Sequence, residues 1–534
     1  MELPARTASD RIRTKSPSVS RPRNILLIVL DQWRGDYLGH LGATWVNTPN
    51  IDALARRGVS FARNFCQGAP CGPARTSLQT GKYVMNHRVV HNGVPLDSRH
   101  DHLARMLRRA GYDPSLIGYS TTTPDPRYVS RSDFRFSRNG DIADSWRVIA
   151  QMDELRDQTD MARNYLAWVS ENEPSYSGRG VNELWAQKSG AARPDGSECV
   201  IEAALSDTAW LADNALTYLR GVSSQDSWML HFGLYRPHPP FSAPAPFHRS
   251  TVHDSLPAVT RAATRMSEAG GHPYLAHLHG SQHLGGYLAG GAGSVASLSA
   301  AELDHVRAAY CGLIEEADHH IGRVLDELKS RALVDDTLII LTSDHGEQLG
   351  DHSLLGKMGF YDQSYHVPLI IVDPHSSADT TRGRVEHGLS ESIDILPTIL
   401  EWLGMPCPHT VDGKSLLPAV RGEQAGGKEA VHFEFSLRGG FLNPDRRILG
   451  LDYRRSELAV LRTQTHKYVH FQGLPALLFD LTEDPHELTD RATDPRCREV
   501  MLDMAQRMLN WRMYNAEREL VNLNASPAGL VRLT

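Results

Sequence analysis

The chain of 534 residues is long enough for two to four domains of ordinary size, or for one large α/β unit with additions. Hydrophobic residues make up 41% and charged residues 22%, globular proportions that exclude a disordered, collagen-like or coiled-coil chain. The formal net charge of -7, without a long basic run, argues against a nucleic acid partner. The six cysteines form no CxxC pair, which argues against a disulfide scaffold and a structural zinc knuckle.

The N-terminal segment, residues 1–23, is rich in Arg, Ser and Pro and is typical of a disordered leader. The longest clean apolar run, residues 25–30, is far shorter than the ~20 residues that cross a bilayer. It is also too short for the apolar region of a signal peptide. We therefore expect a cytoplasmic protein with no membrane partner.

Strands and helices are predicted to alternate along the chain. The apolar run NILLIVL at 24–30 predicts a strand buried on both faces of a parallel sheet. A helical period covers 302–328, and the run TLIILT at 337–342 predicts a second buried strand. Shorter strands are predicted at 228–234 and 369–372, and helices at 50–57, 102–109, 207–220 and 393–403. This alternation favours an α/β fold with a large, mostly parallel central sheet flanked by helices.

Two stretches interrupt this alternation, at 125–200 and 240–300. They lack a clear period and are rich in Gly, Pro, Ser and His, so we interpret them as insertions over one face of the sheet. The second stretch carries three closely spaced histidines, which we expect to be surface loop residues rather than a second metal site: His277, His279 and His283.

The pattern changes after residue 404. Short alternating runs predict strands near 431–435, 458–462, 467–471 and 476–480, followed by a helix near 500–511. We therefore expect a main α/β domain at 24–404 and a smaller C-terminal α+β domain at 405–534.

Both long predicted strands run directly into acidic residues, Asp31-Gln32 and Asp344-His345. Ligands of open parallel sheets bind outside the carboxyl ends of the strands, so we expect these side chains to converge. Each acid alone could be a turn cap, but the paired occurrence favours a metal site. Two carboxylates, an amide oxygen and an imidazole suit one divalent cation; Ca²⁺ and Mg²⁺ are compatible, and the histidine favours Mn²⁺.

The segment CGPARTSLQTG lies between these strands and starts at Cys71. The run after its proline has the character of a helix start, which would place Cys71 at a positive helix end. Such a position lowers a thiol pKa and binds an anion, which Arg75 can also reach. A thiolate phosphatase needs its arginine six positions after the cysteine, where this chain has Ser77, so that mechanism is excluded. Cys66 is predicted to be a packed free thiol.

Together these motifs resemble the type I sulfatases of the alkaline phosphatase superfamily, with CxPxR followed by TG and with SDHGEQLGDH downstream. Within that group, LLIVLDQWRGD, IGYSTTTPDPR, YRPHPPF and TSDHGEQLGDHSLLGK are most similar to bacterial phosphonate monoester hydrolases. The resemblance runs from about residue 24 to the C-terminus. It implies an alkaline-phosphatase-like sandwich fold.

The resemblance also implies an activity, hydrolysis of phosphonate monoesters and phosphodiesters with promiscuous arylsulfatase activity. The alternative is an arylsulfatase whose natural substrates are sulfate esters. A silent binding protein that keeps the anion pocket is disfavoured, because Cys71, Arg75, Asp344 and Lys357 are all present.

A separate formylglycine-generating enzyme is implied by the resemblance, and it would oxidise Cys71 to formylglycine. The hydrate of that aldehyde attacks phosphorus or sulfur and forms a covalent hemiacetal ester, which breaks when the second hydroxyl loses its proton. The implied ligands of one divalent ion per chain are Asp31, Gln32, Cys71, Asp344 and His345. A homotetramer is implied as well.

Four other residues receive roles from the resemblance. Arg75 orients the nucleophile and the anion, and Lys357 binds the nonbridging oxygens. His238 donates a proton or a hydrogen bond to the leaving-group oxygen. Asn92 lines the site.

One departure from the ordinary sulfatase pattern concerns Tyr119 and Thr121, which stand where sulfatases carry a Lys and a His. We interpret these neutral hydroxyl groups as substrate-binding residues that leave room for the extra substituent of a phosphorus ester. The departure leaves the base that breaks the hemiacetal unidentified.

Overall fold

The computed structural model describes residues 23–130, 143–152, 163–223, 225–249, 256–269, 271–423, 427–437, 448–452, 454–527 and 529–532. Apart from Arg23, the predicted leader lies outside these residues.

Strands of the described residues fall into one large sheet, one smaller sheet and one hairpin. In chain order they are β1 (Asn24–Asp31), β2 (Val59–Phe65), β3 (Gly68–Ala69), β4 (Ser115–Gly118), β5 (Arg147–Gln151), β6 (Met229–Pro237), β7 (Thr337–Ser343), β8 (His366–Val367), β9 (Leu369–Val372), β10 (Arg384–Glu391), β11 (Ala430–Ser436), β12 (Glu457–Thr463), β13 (His466–Phe471), β14 (Leu477–Asp480), β15 (Leu523–Ser526) and β16 (Gly529–Arg532).

Helices surround these sheets. They are α1 (Pro49–Ala55), α2 (Cys71–Thr80), α3 (Val84–His87), α4 (Leu103–Arg109), α5 (Arg163–Asn172), α6 (Val181–Leu184), α7 (Asp207–Gly221), α8 (Arg265–Ala269), α9 (Pro273–Ser281), α10 (Ala300–Ser330), α11 (Asp362–Tyr365), α12 (Ile395–Trp402), α13 (Leu417–Val420) and α14 (Arg498–Tyr514). Within the described part of the chain, no helix combines the length and the apolar character needed to cross a bilayer.

The large sheet has the order β10-β2-β9-β7-β1-β6-β4-β5, with β8 paired to β2. Its centre is parallel, because β1 runs parallel to both β6 and β7. The direction reverses at β9, which is antiparallel to β7 and to β2. The predicted α/β fold with a large central sheet flanked by helices is confirmed, and the antiparallel β9 makes that sheet mixed.

The central strand β1 is buried at every position. Its alternate residues face two different cores: Leu26, Ile28 and Leu30 pack on one face of the sheet, and Ile25, Leu27 and Val29 on the other. Burial on both faces explains why the sequence shows a continuous apolar run instead of alternation. β7 is buried in the same way.

Strand register brings three chain segments to one edge of the sheet. Leu30 lies opposite Ser343, so β1 and β7 end side by side and their next residues are Asp31 and Asp344. On the other side of β1, Asp31 lies opposite Pro237, which precedes His238. This edge carries the candidate site.

Helix α2 delivers Cys71 to the same edge. The helix begins at Cys71 itself, whereas the sequence indicated a start after Pro73; a proline is tolerated there because the first four N–H groups of a helix have no partner within it. All ten residues of α2 are buried, so the helix is fixed within the core.

The smaller sheet, β11 to β14, is antiparallel and lies in the C-terminal region. β11 also pairs in parallel with β3, which forms one edge of this sheet and lies just before Cys71. α14 covers this sheet through Met504 and Met508. The C-terminal region is therefore attached to the segment that enters the site.

The two predicted insertions contain helices that the sequence pattern did not reveal. α5 and α6 lie in the first, and α8 and α9 in the second. The first stretch also supplies β5 to the large sheet, so its interpretation as an insertion over one face was wrong for this strand. His279 of α9 is buried, and its Nε2 donates to the carbonyl of His352 at 2.9 Å, so the expectation of a surface loop histidine was wrong for this residue.

Candidate active site

Four buried side chains meet where β1, β7 and α2 converge. One ligand atom from each lies within 4.8 Å of those of the other three, and the residues are Asp31, Cys71, Asp344 and His345. None of them is more than 1% exposed. Two carboxylates buried this closely require compensating positive charge. The group can therefore hold a divalent cation, and its mixture of oxygen, nitrogen and sulfur donors fits one.

Arg75 supplies part of that positive charge from the protein itself. Its Nε donates to Asp344 Oδ2 at 2.8 Å and its Nη2 to Asp31 Oδ2 at 3.3 Å. Burial disfavours the charged guanidinium, but Tyr119 and the two carboxylates outweigh this effect and raise the pKa of Arg75. Arg75 is therefore a permanent cation that holds the two acids in place.

Gln32 and Lys357 complete the inner surface of the site. Gln32 has a φ of 70°, in the left-handed region, and its backbone N–H donates to Asp344 Oδ1 at 3.1 Å. Lys357 Nζ donates to Gln32 Oε1 at 2.8 Å and lies 3.3 Å from Cys71 Sγ. The amide oxygen of Gln32 thus lies beside the ammonium group that faces Cys71.

His345 presents an unprotonated nitrogen to the site. Its Nδ1 lies 3.1 Å from the carbonyl of Gly346, which can only accept, so Nδ1 carries the proton. Nε2 lies 3.3 Å from Cys71 Sγ. Burial lowers the pKa of His345 well below its ordinary value, in spite of the neighbouring Asp344. A neutral imidazole with a free Nε2 is the form that binds metals.

A cleft of about 470 Å³ opens above this inner surface. It is lined by Gln32, Pro70, Asn92, His238, Pro239, Leu278, Ser281, Gln282, His283, Gly286, Tyr287, Gly356, Lys357 and Met358. The polar residues Gln32, Asn92, His238 and Lys357 join the cleft to the buried cluster. Leu278, Tyr287 and Met358 give it an apolar outer part.

His238 and Asn92 both line the cleft. His238 Nδ1 donates to the carbonyl of Pro239 at 2.8 Å. Burial, together with the nearby charge of Lys357, lowers the pKa of His238 well below its ordinary value. The ring is therefore neutral without substrate, and Nε2 must gain a proton before it can act as an acid. Asn92 Oδ1 accepts from the N–H of Gly72 at 2.6 Å, which ties the cleft wall to α2.

Tyr119 and Thr121 are placed differently from the sequence interpretation. Neither lines the cleft. The Tyr119 hydroxyl donates to Asp31 Oδ2, and its ring centre lies 4.1 Å from the guanidinium carbon of Arg75. Within the described residues the buried hydroxyl of Thr121 has no hydrogen-bond partner. Tyr119 thus contacts Asp31 and Arg75 and does not line the cleft.

Two parts of the site were not identified as such from the sequence. Glu347, inside the segment SDHGEQLGDH, accepts from the side chain of Gln32. His283, Tyr287 and Met358 line the cleft, and no sequence period marks them. Cys66 is a buried free thiol whose pKa is raised by burial, which confirms its interpretation as a packed residue.

Comparisons with known proteins agree with this geometry. The family described as Sulfatase matches residues 23–405, and the C-terminal family of N-sulphoglucosamine sulphohydrolase matches residues 350–514. The chain is 42% identical over 516 residues to the multifunctional alkaline phosphatase superfamily protein PehA of Trinickia caryophylli, covering 95% of this chain and 98% of PehA.

Two solved structures are similar along nearly their whole length. The phosphonate monoester hydrolase of Agrobacterium radiobacter is 38% identical with a TM-score of 0.89, over 96% of this chain and 100% of that one. The phosphonate monoester hydrolase SpPMH from Silicibacter pomeroyi is 32% identical with a TM-score of 0.85, over 96% and 99%. The chain therefore belongs to the sulfatase family of the alkaline phosphatase superfamily, and it is a hydrolase that acts on ester bonds.

Proposed function

We propose that this protein hydrolyses phosphonate monoesters and phosphodiesters, with arylsulfatase side activity. The reaction would depend on a divalent metal and on formylglycine at position 71, and it would pass through a covalent hemiacetal ester on that residue. The observation that carries the proposal is the position of Cys71. It is the first residue of α2, lies in the four-residue cluster and is contacted by Lys357.

The metal would be held by Asp31, Gln32, Asp344 and His345 together with residue 71. When bound, a divalent cation supplies positive charge that stabilises an ionised nucleophile and the negative charge of the transferred group. We propose Mn²⁺, with Ca²⁺ or Mg²⁺ as alternatives, because a histidine accompanies the oxygen donors.

The residues around the cluster have separate roles in the proposed reaction. Arg75 pairs with Asp31 and with Asp344 and holds both carboxylates in orientation. Lys357 lies between Gln32 and Cys71, where an ammonium group can pair with the nonbridging oxygens of the substrate. His238 also lines the cleft, which supports a role for it at the leaving-group oxygen. An anionic substrate would raise the low pKa of His238 and so favour the protonated form.

The choice of phosphorus esters is supported by the two phosphonate monoester hydrolases at 38% and 32% identity. It is also supported by the shape of the cleft. Leu278, Tyr287 and Met358 offer apolar surface outside the charged centre, where the ester substituent of such a substrate would lie.

Peptide mass spectrometry across Cys71 tests the modification, since an aldehyde and a thiol differ in mass. Cys71→Ala should lose several orders of magnitude in turnover, whereas Cys66→Ala, a matched control at the other nearby buried thiol, should keep it. Full turnover by Cys71→Ala would refute the proposal. Turnover efficiencies on matched aryl phosphonate, phosphodiester and sulfate esters decide the substrate class, and a large preference for sulfate would establish an arylsulfatase instead.

We also propose a cytoplasmic homotetramer matured by a formylglycine-generating enzyme. The proposal for an oligomer is supported by exposed apolar side chains on α14, on the C-terminal hairpin and on the segment between them, namely Leu502, Leu509, Met513, Tyr514, Leu520, Val521, Leu530 and Val531. A two-stranded hairpin is marginally stable without further packing. Sedimentation at micromolar concentration should show a tetramer, and a monomer alone would refute this.

A further inference from the structure

The side chain of Gln32 is held at both ends of its amide group. Its Nε2 donates to Glu347 Oε2, and its Oε1 accepts from Lys357 Nζ at 2.8 Å. Gln32 and Glu347 are at most 1% exposed, so water does not compete for these contacts. Turning the amide over would exchange its oxygen and its nitrogen. The surrounding residues must therefore determine whether the oxygen or the NH₂ group of Gln32 faces each partner.

Glu347 is suited to fix it, because both of its carboxyl oxygens accept hydrogen bonds in the structure. Its Oε1 accepts from the backbone N–H of Leu349 at 3.0 Å and of Gly356 at 2.6 Å. Its Oε2 is thereby left for Gln32. Gln32 must turn its NH₂ towards Glu347 and its oxygen towards Lys357 and the four-residue cluster.

We propose that Glu347 is a positioning residue that sets the amide orientation of Gln32, so that an oxygen and not an NH₂ group faces the metal site. This inference rests on the proposed metal-dependent function and adds a residue to its supporting network. The NH₂ of an amide is a donor and offers no lone pair to a cation. A wrong orientation would therefore remove one metal ligand and place an NH₂ group against the ammonium group of Lys357.

The substitution Glu347→Gln isolates this role. Both backbone contacts of Glu347 go to Oε1, which the amide oxygen of a glutamine can replace. The new NH₂ group then occupies the place of Oε2 and opposes the NH₂ of Gln32. Turning Gln32 over relieves that clash but places its NH₂ against Lys357 Nζ, so in either orientation two donors face each other. The loop contacts survive while the oxygen of Gln32 is no longer held towards the metal site.

The test measures Mn²⁺ affinity by equilibrium dialysis in a double-mutant cycle with Gln32→Ala. Glu347→Gln should weaken Mn²⁺ binding by ~10-fold or more when Gln32 is present, and by less than ~2-fold in the Gln32→Ala background, where no amide remains to turn. Equal losses in both backgrounds would overturn the inference, since a general effect of the lost charge does not need Gln32.

The exchange Gln32→Glu with Glu347→Gln provides a rescue. The glutamine at 347 can then donate to a carboxylate at 32, whose other oxygen faces the metal site whichever way it turns. Mn²⁺ affinity should return to near the wild-type value, and no recovery over Glu347→Gln alone would count against the inference.

Asp318→Asn is a matched control, because Asp318 also accepts from backbone N–H groups and from the side-chain amide of Asn50. It should lower the melting temperature and leave Mn²⁺ affinity unchanged. Wild-type protein that binds no Mn²⁺, Ca²⁺ or Mg²⁺ would instead refute the proposed metal-dependent function. The two failures are thus distinguishable.

Discussion

The inner and outer parts of the cleft are built in opposite ways. The inner part consists of Asp31, Gln32, Cys71, Asp344 and His345, which are all buried and lie at the ends of core elements. The outer wall includes Met358 and several residues between 278 and 287, among them the exposed His283; these residues come from the end of α9 and from loops. A buried, charge-compensated centre resists change, whereas a loop wall tolerates it. The reaction should therefore depend on the inner part, and the choice of ester on the outer wall.

The largest effect is expected from a metal ligand of the inner part. Asp344→Asn removes a carboxylate that faces the cluster and also receives Arg75, so metal binding and turnover should both fall by more than ~100-fold, beyond the loss typical of a supporting residue. Elemental analysis after gel filtration, combined with turnover on an aryl phosphonate ester, measures both. An active Asp344→Asn enzyme with stoichiometric metal would contradict the assignment.

Tyr119→Phe tests whether Tyr119 acts with the inner part of the cleft or with its outer wall. The structure places its hydroxyl on Asp31 and not on the cleft, so its loss should lower kcat by ~10-fold on every ester, the size expected for a hydrogen bond to a charged group. The ratio of phosphonate to sulfate turnover should stay the same. A shift of that ratio by an order of magnitude would restore the interpretation of Tyr119 as a specificity residue.

Met358→Ala probes the outer wall. Truncation removes apolar surface from the cleft, so KM for an aryl ester should rise by ~3-fold to ~10-fold. This rise corresponds to a fraction of the free energy gained by burying one apolar side chain. KM for a methyl ester and kcat for both should change little. Met266→Ala, at a methionine that is 84% exposed, is the control. Equal changes for the aryl and methyl esters would show that Met358 does not contact the substituent.

The inner part could be predicted from sequence because its cause is local. Burial of β1 and β7 on both faces leaves an uninterrupted apolar run, and the ends of neighbouring parallel strands meet at one edge. These two features are sufficient to predict that Asp31 and Asp344 lie together. The run LIIV at β9 also predicts a strand, but an apolar run has no direction, so its antiparallel pairing could not be foreseen.

The supporting contacts could not be predicted, because they join residues far apart in the chain. Tyr119 reaches Asp31 across 88 positions, and Glu347 reaches Gln32 across 315. The positive φ of Gln32 has no signature in the sequence such as a glycine. Family resemblance could supply the identity of Tyr119 as a site residue, but only the structure shows which way its hydroxyl points.

The smallest effect on turnover is expected at Glu316 of α10, which lies near Arg236 of β6, the strand that ends just before His238. Arg236 donates to Asp207 and to the carbonyl of His238, and Glu316 lies in the same buried group. Burial, reinforced by the charge of Asp207, raises the pKa of Glu316 to about 8. The folded protein therefore keeps a proton on Glu316 between pH 4.5 and pH 8 that the unfolded chain has lost.

Because the folded state binds the extra proton, the stability contributed by Glu316 is fully present below pH 4.5 and is lost as the pH rises through 8. Glu316→Gln cannot titrate, so its melting temperature relative to the wild type should increase by a few degrees from pH 5 to pH 8. Turnover per folded molecule should stay within ~2-fold of the wild-type value. A factor of this size corresponds to about 0.5 kcal/mol, which is typical of substitutions that do not disturb a site. If the difference between the melting temperatures of Glu316→Gln and wild type were independent of pH, Glu316 would be ionised in the folded protein and Arg236 would be shared by two carboxylates.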